Sequence, residues 1–545
     1  MATYYLAAMK TFLLFPTLLL ATATLAQDLA HNQARVSGGM LQGAATDNIH
    51  TFKGIPYAAP PVGPMRWREP QPAATWPTVR PATQFGPRAM QQPIFGDMNF
   101  RSNGVSEDCL YLNVWTGAKT ASEKRPVLVY FYGGGFLAGD GSEPRYDGEA
   151  LARQGIVTVT VNYRLGVFGF MAHPELTKES PTHASGNYGL LDQAAAIKWV
   201  RQNIAAFGGD PARITIGGES AGSWSVSAQL ATPLNKGMLA GAIGESGSLL
   251  GLQPLPTLAE GEQTGAAFAS TLGAASLAAL RALPAQQLLE AAGKQGAPRF
   301  ASIADGYFFP QQPRAIYEAG QQAHVPLLVG WNSQESGPQG LLGQAAPTVA
   351  NYRAAVQKLY GERADAVLAR YSAPTDADVE QAATDLASDR FIAYSTWNWA
   401  DAQARTGQKP VYRYRYARPR PAMTPEIGNA TAGLAGGVVK GDANAKPTPP
   451  AKGAVHSAEI EYALGNLPTN KVYAWTPDDY AVSKQMQAYF ANFIKTGNPN
   501  GAGLPTWTAL QADGTGPTLR IDVKTQQLPE TERGRYELLR QLAAK

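Results

Sequence analysis

Arg213 to Gly222 reads RITIGGESAG, and the stretch after it, SWSVSAQLA, is helix-compatible. The run up to Ile216 suits a strand, glycines punctuate it, and Ser220 falls where strand gives way to helix. Gly218-Glu219-Ser220-Ala221-Gly222 fits the G-x-S-x-G pattern of a nucleophile elbow. In such an elbow a sharp turn holds the serine in a strained conformation, and the flanking glycines let neighbouring backbone approach. The serine oxygen projects above the sheet at the N-terminal end of a helix, and the next N–H, that of Ala221, can face a developing oxyanion. With 56 glycines in 545 residues the string alone is a weak signal, and an ordinary Gly-rich turn competes with it. It occurs once, in the strand–turn–helix context the elbow requires.

The flanking sequence alternates in the same way. Pro126 to Tyr132 (PVLVYFY) and Ile156 to Tyr163 (IVTVTVNY) are continuous apolar runs suited to central strands covered on both faces. Leu190 to Phe207 has apolar residues at helical spacing and stops at Gly208-Gly209-Asp210-Pro211. Further strands are read at Cys109 to Trp115 (CLYLNVW), from Ala242 onward, and at Val325 to Trp331 (VPLLVGW). The alternation predicts an α/β fold: a central, mostly parallel sheet flanked by helices. Leu258 to Ala292 is Ala/Leu-rich and breaks this rhythm, as a helical cap inserted over the sheet would. Gly428 to Gly453 is low-complexity and reads as a mobile loop. Asp478 to Thr496 and Arg533 to Ala544 read as closing helices. No repeat or linker divides the chain, so residues 27–545 read as one domain.

Tyr132-Gly133-Gly134-Gly135-Phe136 follows the strand PVLVYFY. Three glycines let backbone N–H groups face an empty site, as in an HGGG-type oxyanion loop with Tyr in place of His. A phosphate cradle competes, weakened because no G-K-[ST] follows. A serine nucleophile needs a base, and the base needs an orienting acid. In the α/β-hydrolase arrangement the chain order is Ser, then Asp or Glu, then His. Of the 6 histidines, His31, His50, His173 and His183 precede Ser220. His324 begins VPLLVGW and reads as a strand-edge residue, which leaves His456, in the loop GAVHSAE, as the base candidate. For the acid, Glu335 leads, in the short loop NSQES after VPLLVGW. Asp305 and Asp389 stay open as alternatives.

Composition excludes other classes. Lys+Arg number 46 against 42 Asp+Glu, and no Lys/Arg run stands out, so the footprint of a nucleic-acid binder is missing. One cysteine cannot close an intramolecular disulfide or build a Cys-rich metal site; Cys109 reads as a small buried hydrophobe. Thr11 to Ala26 follows Lys10, is apolar, and ends in small residues, the layout of a secretory signal cut after Ala26, with Ala23 as second choice. At roughly 16 residues it is short for a membrane span of about 20. The expectation is a signal peptide over 1–26 and a secreted or periplasmic protein without stable membrane insertion. An uncleaved N-terminal anchor is the competing reading.

Together these residues resemble the type-B carboxylesterases, the cholinesterase-like branch of the α/β-hydrolases, over nearly the whole chain after residue 26. The resemblance is carried by Phe52 to Ala58 (FKGIPYA) with Pro60 to Arg66, Glu107 to Asn113 (EDCLYLN), Asn162 to Gly169 (NYRLGVFG) and Gly186 to Asp192 (GNYGLLD). Asn203 to Pro211, Gly218 to Gly222, Asp305 to Pro310 and Gly330 to Glu335 extend it. It implies an α/β-hydrolase fold, Ser220, Glu335 and His456 as a catalytic triad, and the N–H groups of Gly134, Gly135 and Ala221 as oxyanion donors, with no metal or cofactor. It also implies structural ion pairs Arg66–Glu107 and Arg164–Asp192, and Ser246 as a support for the acid. Relatives often pair the cysteine of EDCLYLN with one shortly after a Phe-Gly-Pro; here Arg88 and Ala89 follow Phe85-Gly86-Pro87, so that loop is not stapled. In cholinesterases the same loop carries a choline-binding Trp. Here Met90 to Ser106 holds Phe95 and Phe100 but no Trp, which argues against choline esters. Ser457 stands where relatives often have Gly. The expected function is a serine carboxylesterase acting on small-molecule esters through an acyl-enzyme. An amidase, lactonase or carbamate hydrolase would use the same machinery, and an inactive binding module is the reading from a different class.

Overall fold

The computed structural model describes residues 29, 32–428, 430–434, 436–439 and 451–543. The leader expected over 1–26 lies outside them, as do 440–450 of the Gly-rich stretch. Among the described residues eleven strands form one sheet. They are β1 (Ala44–Thr46), β2 (Ile49–Pro56), β3 (Tyr111–Thr116), β4 (Arg125–Phe131), β5 (Val157–Val161) and β6 (Gly209–Glu219). The others are β7 (Gly241–Glu245), β8 (Leu327–Asn332), β9 (Val411–Tyr416), β10 (Thr518–Ile521) and β11 (Gln526–Leu528). Across the sheet the order is β11-β10-β9-β8-β7-β6-β4-β5-β3-β2-β1. Neighbours from β10 to β5 are parallel. The margins are antiparallel.

The apolar runs explain the centre. Every residue of β5 and all of β4 after Arg125 are buried, as strands covered by helices on both faces must be. After β5 the chain passes through α1 (Tyr188–Asn203) and enters the sheet on the other side of β4, as β6. Strand order therefore reverses at β4, and the crevice beyond such a switch point is where an open α/β sheet binds ligands. Both glycine motifs lie there: Gly133 to Gly135 leave β4, and Ser220 leaves β6. The helix expected over Leu190 to Phe207 begins two residues earlier, and its last turn, Ile204–Phe207, tightens to 3₁₀ before Gly208 at φ +75°. Cys109 lies just before β3 and is buried, and burial pushes its thiol pKa well up.

The stretch read as a cap forms three helices, α2 (Leu258–Thr271), α3 (Leu277–Ala282) and α4 (Ala285–Ala292), opened by a capping box between Thr257 and Glu260. Arg66 ties the cap to the body. It pairs with both oxygens of Glu107 at 2.5 and 2.7 Å and donates to the carbonyls of Arg281 and Leu283 at 2.9 and 2.8 Å. The second expected pair, Arg164 with Asp192, is bidentate at 2.8 and 2.7 Å and buried. A second helical insertion, α5 (Val349–Tyr360), α6 (Ala364–Arg370) and α7 (Asp376–Ser388), had no counterpart in the sequence reading. It packs its own small core around Tyr352, Val356, Val367, Tyr371, Val379 and Leu386. A π-turn at Asp389–Ala393 leads into α8 (Tyr394–Thr406). The closing helices are α9 (Pro477–Thr496) and α10 (Arg533–Ala543). No described helix is long and apolar enough to cross a membrane.

The described part of the stretch expected to be mobile holds a small hairpin, Thr431–Ala432 against Val438–Val439. Its glycines allow this. A Cβ on Gly433 or Gly437 would come within 2.2 or 2.1 Å of Asp97, so only bare backbone can lie against that residue.

Between β6 and the helix after it, α-helical Ala221–Ala231, the fit is equally tight. A Cβ on Gly222 would stand 2.0 Å from the carbonyl oxygen of Phe131, at the end of β4. One on Gly218 would stand 2.5 Å from the carbonyl carbon of Gly222. Gly222→Ala is therefore expected to destabilise the protein by about 1–3 kcal/mol, the usual cost of overpacking. Gly251→Ala, with open space around it, should change stability by less than about 0.5 kcal/mol. Urea unfolding midpoints of the two variants test the contrast; equal midpoints would refute it.

Candidate active site

Ser220 has φ +56° and ψ −119°, a conformation that costs of order 1–3 kcal/mol in a non-glycine residue. Two bonds hold it there: its N–H donates to the Glu245 carbonyl at 2.8 Å, and Trp224 N–H donates to its carbonyl at 2.9 Å. Its Oγ lies 3.0 Å from His456 Nε2. On the other side of the ring, Nδ1 lies 2.6 Å from Glu335 Oε2. The second oxygen of Glu335 accepts from Ser246 Oγ and from the Asn332 N–H, each at 2.6 Å. The structure thus brings together the serine, histidine and glutamate picked out by the sequence, and sets Ser246 against the acid.

The loops bearing Glu335 and His456 are stitched together. Gln334 N–H donates to the Ala454 carbonyl and Asn332 Nδ2 to the Val455 carbonyl, both at 2.8 Å. Ala454 N–H donates to Ser333 Oγ at 2.9 Å. Ser457 sits at φ +63°, in the left-handed region that glycine adopts most readily. Its hydroxyl donates to the carbonyl of Leu434, in the hairpin.

The glycine loop after β4 turns sharply, with Gly134 at φ +111° and Gly135 at φ +65°. A Cβ on Gly134 would stand 2.0 Å from the Ala138 carbonyl oxygen. Tyr132 and Tyr163 anchor its base: the rings stack at 4.5 Å, and Tyr163 OH donates to the Tyr132 carbonyl at 2.7 Å. Among the described residues the N–H groups of Gly134, Gly135 and Ala221 donate no hydrogen bond, so all three remain available to an anion.

The alternatives are occupied elsewhere. Asp305 accepts the N–H groups of Tyr307 and Phe309 at 3.2 and 3.0 Å and holds a turn. Asp389 binds Tyr371 OH at 2.9 Å and Arg535 at 3.1 Å. His324 is exposed, with Nε2 2.9 Å from the Gly320 carbonyl.

Three buried carboxylates around the site went unread in the sequence. Glu219, the residue before Ser220, has Oε1 3.3 Å from His456 Nε2. Its place depends on Gly133, where a Cβ would stand 2.6 Å from Glu219 Oε2. Glu459 accepts from Asn332 Nδ2 and lies 3.4 Å from Ser246 Oγ. Glu245 accepts from Tyr130 OH at 2.9 Å. An acid beside the serine and another three residues after the histidine were the available signals. Phe391, in the π-turn, sets its ring edge-on to His456 at 5.0 Å while 48% exposed.

Burial pulls the His456 pKa down, but Glu219 and Glu335 outweigh it and push it up to about 9. Burial, with the charges of Glu219 and Glu335, pushes Glu459 up to about 8. That shift favours the neutral form of Glu459, while Ser246, whose Oγ lies 3.4 Å from it, donates to Glu335. Burial also raises Glu219, against the pull of His456. The arrangement can deprotonate a hydroxyl, hold the resulting imidazolium, and receive an oxyanion.

The Carboxylesterase family profile matches residues 27–538. Fumonisin B1 esterase of Sphingopyxis macrogoltabida is 36% identical over 493 residues, covering 87% of this chain and 84% of that protein. Para-nitrobenzyl esterase of Bacillus subtilis is 33% identical over 524 residues, covering 93% and 98%. Among solved structures, a thermophilic pNB esterase matches with a TM-score of 0.76 at 31% identity, covering 93% of this chain and 100% of its own. A carboxylesterase of Geobacillus stearothermophilus matches with a TM-score of 0.75 at 30% identity, covering 93% and 99%. The chain belongs to the carboxylesterase family and is a carboxylic-ester hydrolase on the α/β-hydrolase fold.

Proposed function

We propose that Ser220, His456 and Glu335 act as a triad and cleave small-molecule carboxylic esters through an acyl-enzyme. The observation that carries this reading is the unbroken chain of contacts, 3.0 Å from Ser220 Oγ to His456 and 2.6 Å from His456 to Glu335. His456 Nε2 takes the Ser220 proton as Oγ bonds to the ester carbon. Glu335 keeps the ring oriented and stabilises its charged form. The oxyanion meets the N–H groups of Gly134, Gly135 and Ala221, each worth roughly 3–4 kcal/mol in comparable sites. The alcohol leaves with the proton from Nε2. Water then attacks the acyl carbon and gives a proton to Nε2; the bond to Ser220 Oγ breaks as Nε2 hands that proton to Oγ, freeing the carboxylic acid and restoring the serine. Phe391, whose ring lies against His456, offers an apolar wall to the substrate's chain.

Ser220→Ala and His456→Ala should each lower kcat on p-nitrophenyl esters by about 10⁴-fold or more, with circular dichroism unchanged. A fluorophosphonate probe should label the wild type and leave Ser220→Ala unlabelled. Full turnover in either variant, or labelling of Ser220→Ala, would overturn the triad.

The acidic limb of the kcat/KM profile follows deprotonation of His456, so activity should climb on the alkaline side of ordinary histidine titration. Glu219→Gln removes one of the charges that raise the histidine. Its acidic limb should move to lower pH; a limb that stays in place or moves up contradicts the assignment.

The hairpin reaches Ser457, next to the base, so shortening the 428–453 stretch should change preference among acyl chain lengths more than thermal stability. An unchanged ratio of butyrate to octanoate hydrolysis refutes this.

A further inference from the structure

The glycine loop after β4 has two unlike neighbours. At Gly134 the methyl of Met98 would stand 3.3 Å from a Cβ. At Gly135 the sole atom within 4 Å of a Cβ position is a guanidinium nitrogen of Arg299, at 3.8 Å. That nitrogen, Nη2, donates to the Gly135 carbonyl at 3.4 Å. Arg299 is exposed and has no carboxylate partner among the described residues. The arginines nearest the buried carboxylates differ: Arg145 is neutralised by Glu143 at 3.2 Å and Arg420 by Glu461 at 3.0 Å.

The backbone that carries Arg299 is fixed. Phe300, the next residue, is buried edge-on against Phe268 at 5.2 Å. Three residues on, Ile303 exchanges two hydrogen bonds with the Asn187 side chain, at 2.9 and 3.1 Å. The single bond to Gly135 lies at the long limit and uses one of the five donors a guanidinium carries. The rest of the fork is free to take a carboxylate, the planar anion it fits best.

We infer that Arg299 is a specificity-determining residue for esters that bear a free carboxylate a few bonds from the scissile carbonyl. The inference rests on the oxyanion assignment at Gly135. An oxyanion sits about 3 Å from the Gly135 nitrogen, and one residue spans at most about 3.6 Å of chain. With the 3.4 Å bond beyond, the guanidinium lies within about 10 Å of the ester oxygen. A carboxylate two or three carbons from the ester carbonyl, plus a charge-assisted bond of about 2.8 Å, fits inside that distance. Half-esters of short dicarboxylic acids and esters of short hydroxy acids both meet the requirement. A carboxylate placed deeper would meet the field of Glu219 and Glu335, so the rim position is the favourable one for an anion.

The test compares kcat/KM, by pH-stat titration, for monoethyl glutarate against ethyl pentanoate and for carboxymethyl butyrate against propyl butyrate. Wild type, Arg299→Gln, Arg299→Glu and Arg299→Lys are measured. The charged-to-neutral ratio should fall at least about tenfold in Arg299→Gln, further in Arg299→Glu, and be partly restored in Arg299→Lys. In the wild type the ratio should decline as salt rises. A fall confined to the glutarate pair or to the carboxymethyl pair assigns Arg299 to the acyl or the alcohol half. If neither ratio moves in Arg299→Gln, the proposal fails, including the case where charged and neutral esters slow together because Arg299 only clamps the loop. Failure of the triad itself would show separately, as ester turnover surviving in Ser220→Ala.

Discussion

The carbonyl oxygen of Phe131 stands where a side chain on Gly222 would have to be, and the rest of the site depends on that contact. Because the helix after Ser220 rests this closely on the end of β4, the serine between strand and helix is forced to φ +56°. The same closeness sets the Ala221 N–H beside the glycine loop that leaves β4. One steric constraint therefore holds the serine where strand meets helix, and the glycine loop packs against it, a Cβ on Gly133 standing 3.1 Å from Ser220 Cβ. Its local strain is offset by the backbone bonds of Ser220 to Glu245 and Trp224.

A second constraint is electrical. Glu219, Glu335 and Glu459 all act on one buried imidazole, and three charges there would be costly. Burial eases this by raising the Glu459 pKa, which favours its neutral form. Ser246 stands between the two acids: it donates to Glu335 at 2.6 Å and lies 3.4 Å from Glu459. Glu335 is oriented by donors on one oxygen and by His456 on the other.

The central strands were legible because β4 and β5 are buried on both faces and so read as unbroken apolar runs. Ser220 and His456 were legible because one serine sits in an elbow and, of the two histidines after it, His324 reads as a strand-edge residue. Glu335 came only as the first of three. What removes Asp305 and Asp389 is the company they keep, backbone N–H groups in one case and Tyr371 with Arg535 in the other. No linear pattern displays such contacts. The hairpin was hidden for the same reason: its glycines answer to Asp97, some 340 residues earlier. The second helical insertion was missed because it closes a small core of its own and leaves no strand–helix rhythm to follow. Glu219 was visible as a residue, but its approach to His456 comes from a strand end meeting a loop far away in the chain.

The stitching between the two loops bears on how this enzyme fails. Glu335 and His456 stand 121 residues apart, yet the residues just before each, 332–334 and 454–455, are joined by hydrogen bonds. Local opening cannot peel one loop away and leave the other docked, because each completes the other's hydrogen bonding. A half-assembled state, with the imidazole in place but its acid lost, has nothing to hold it. Warming should therefore extinguish activity as one cooperative event rather than through a slow, partly competent intermediate.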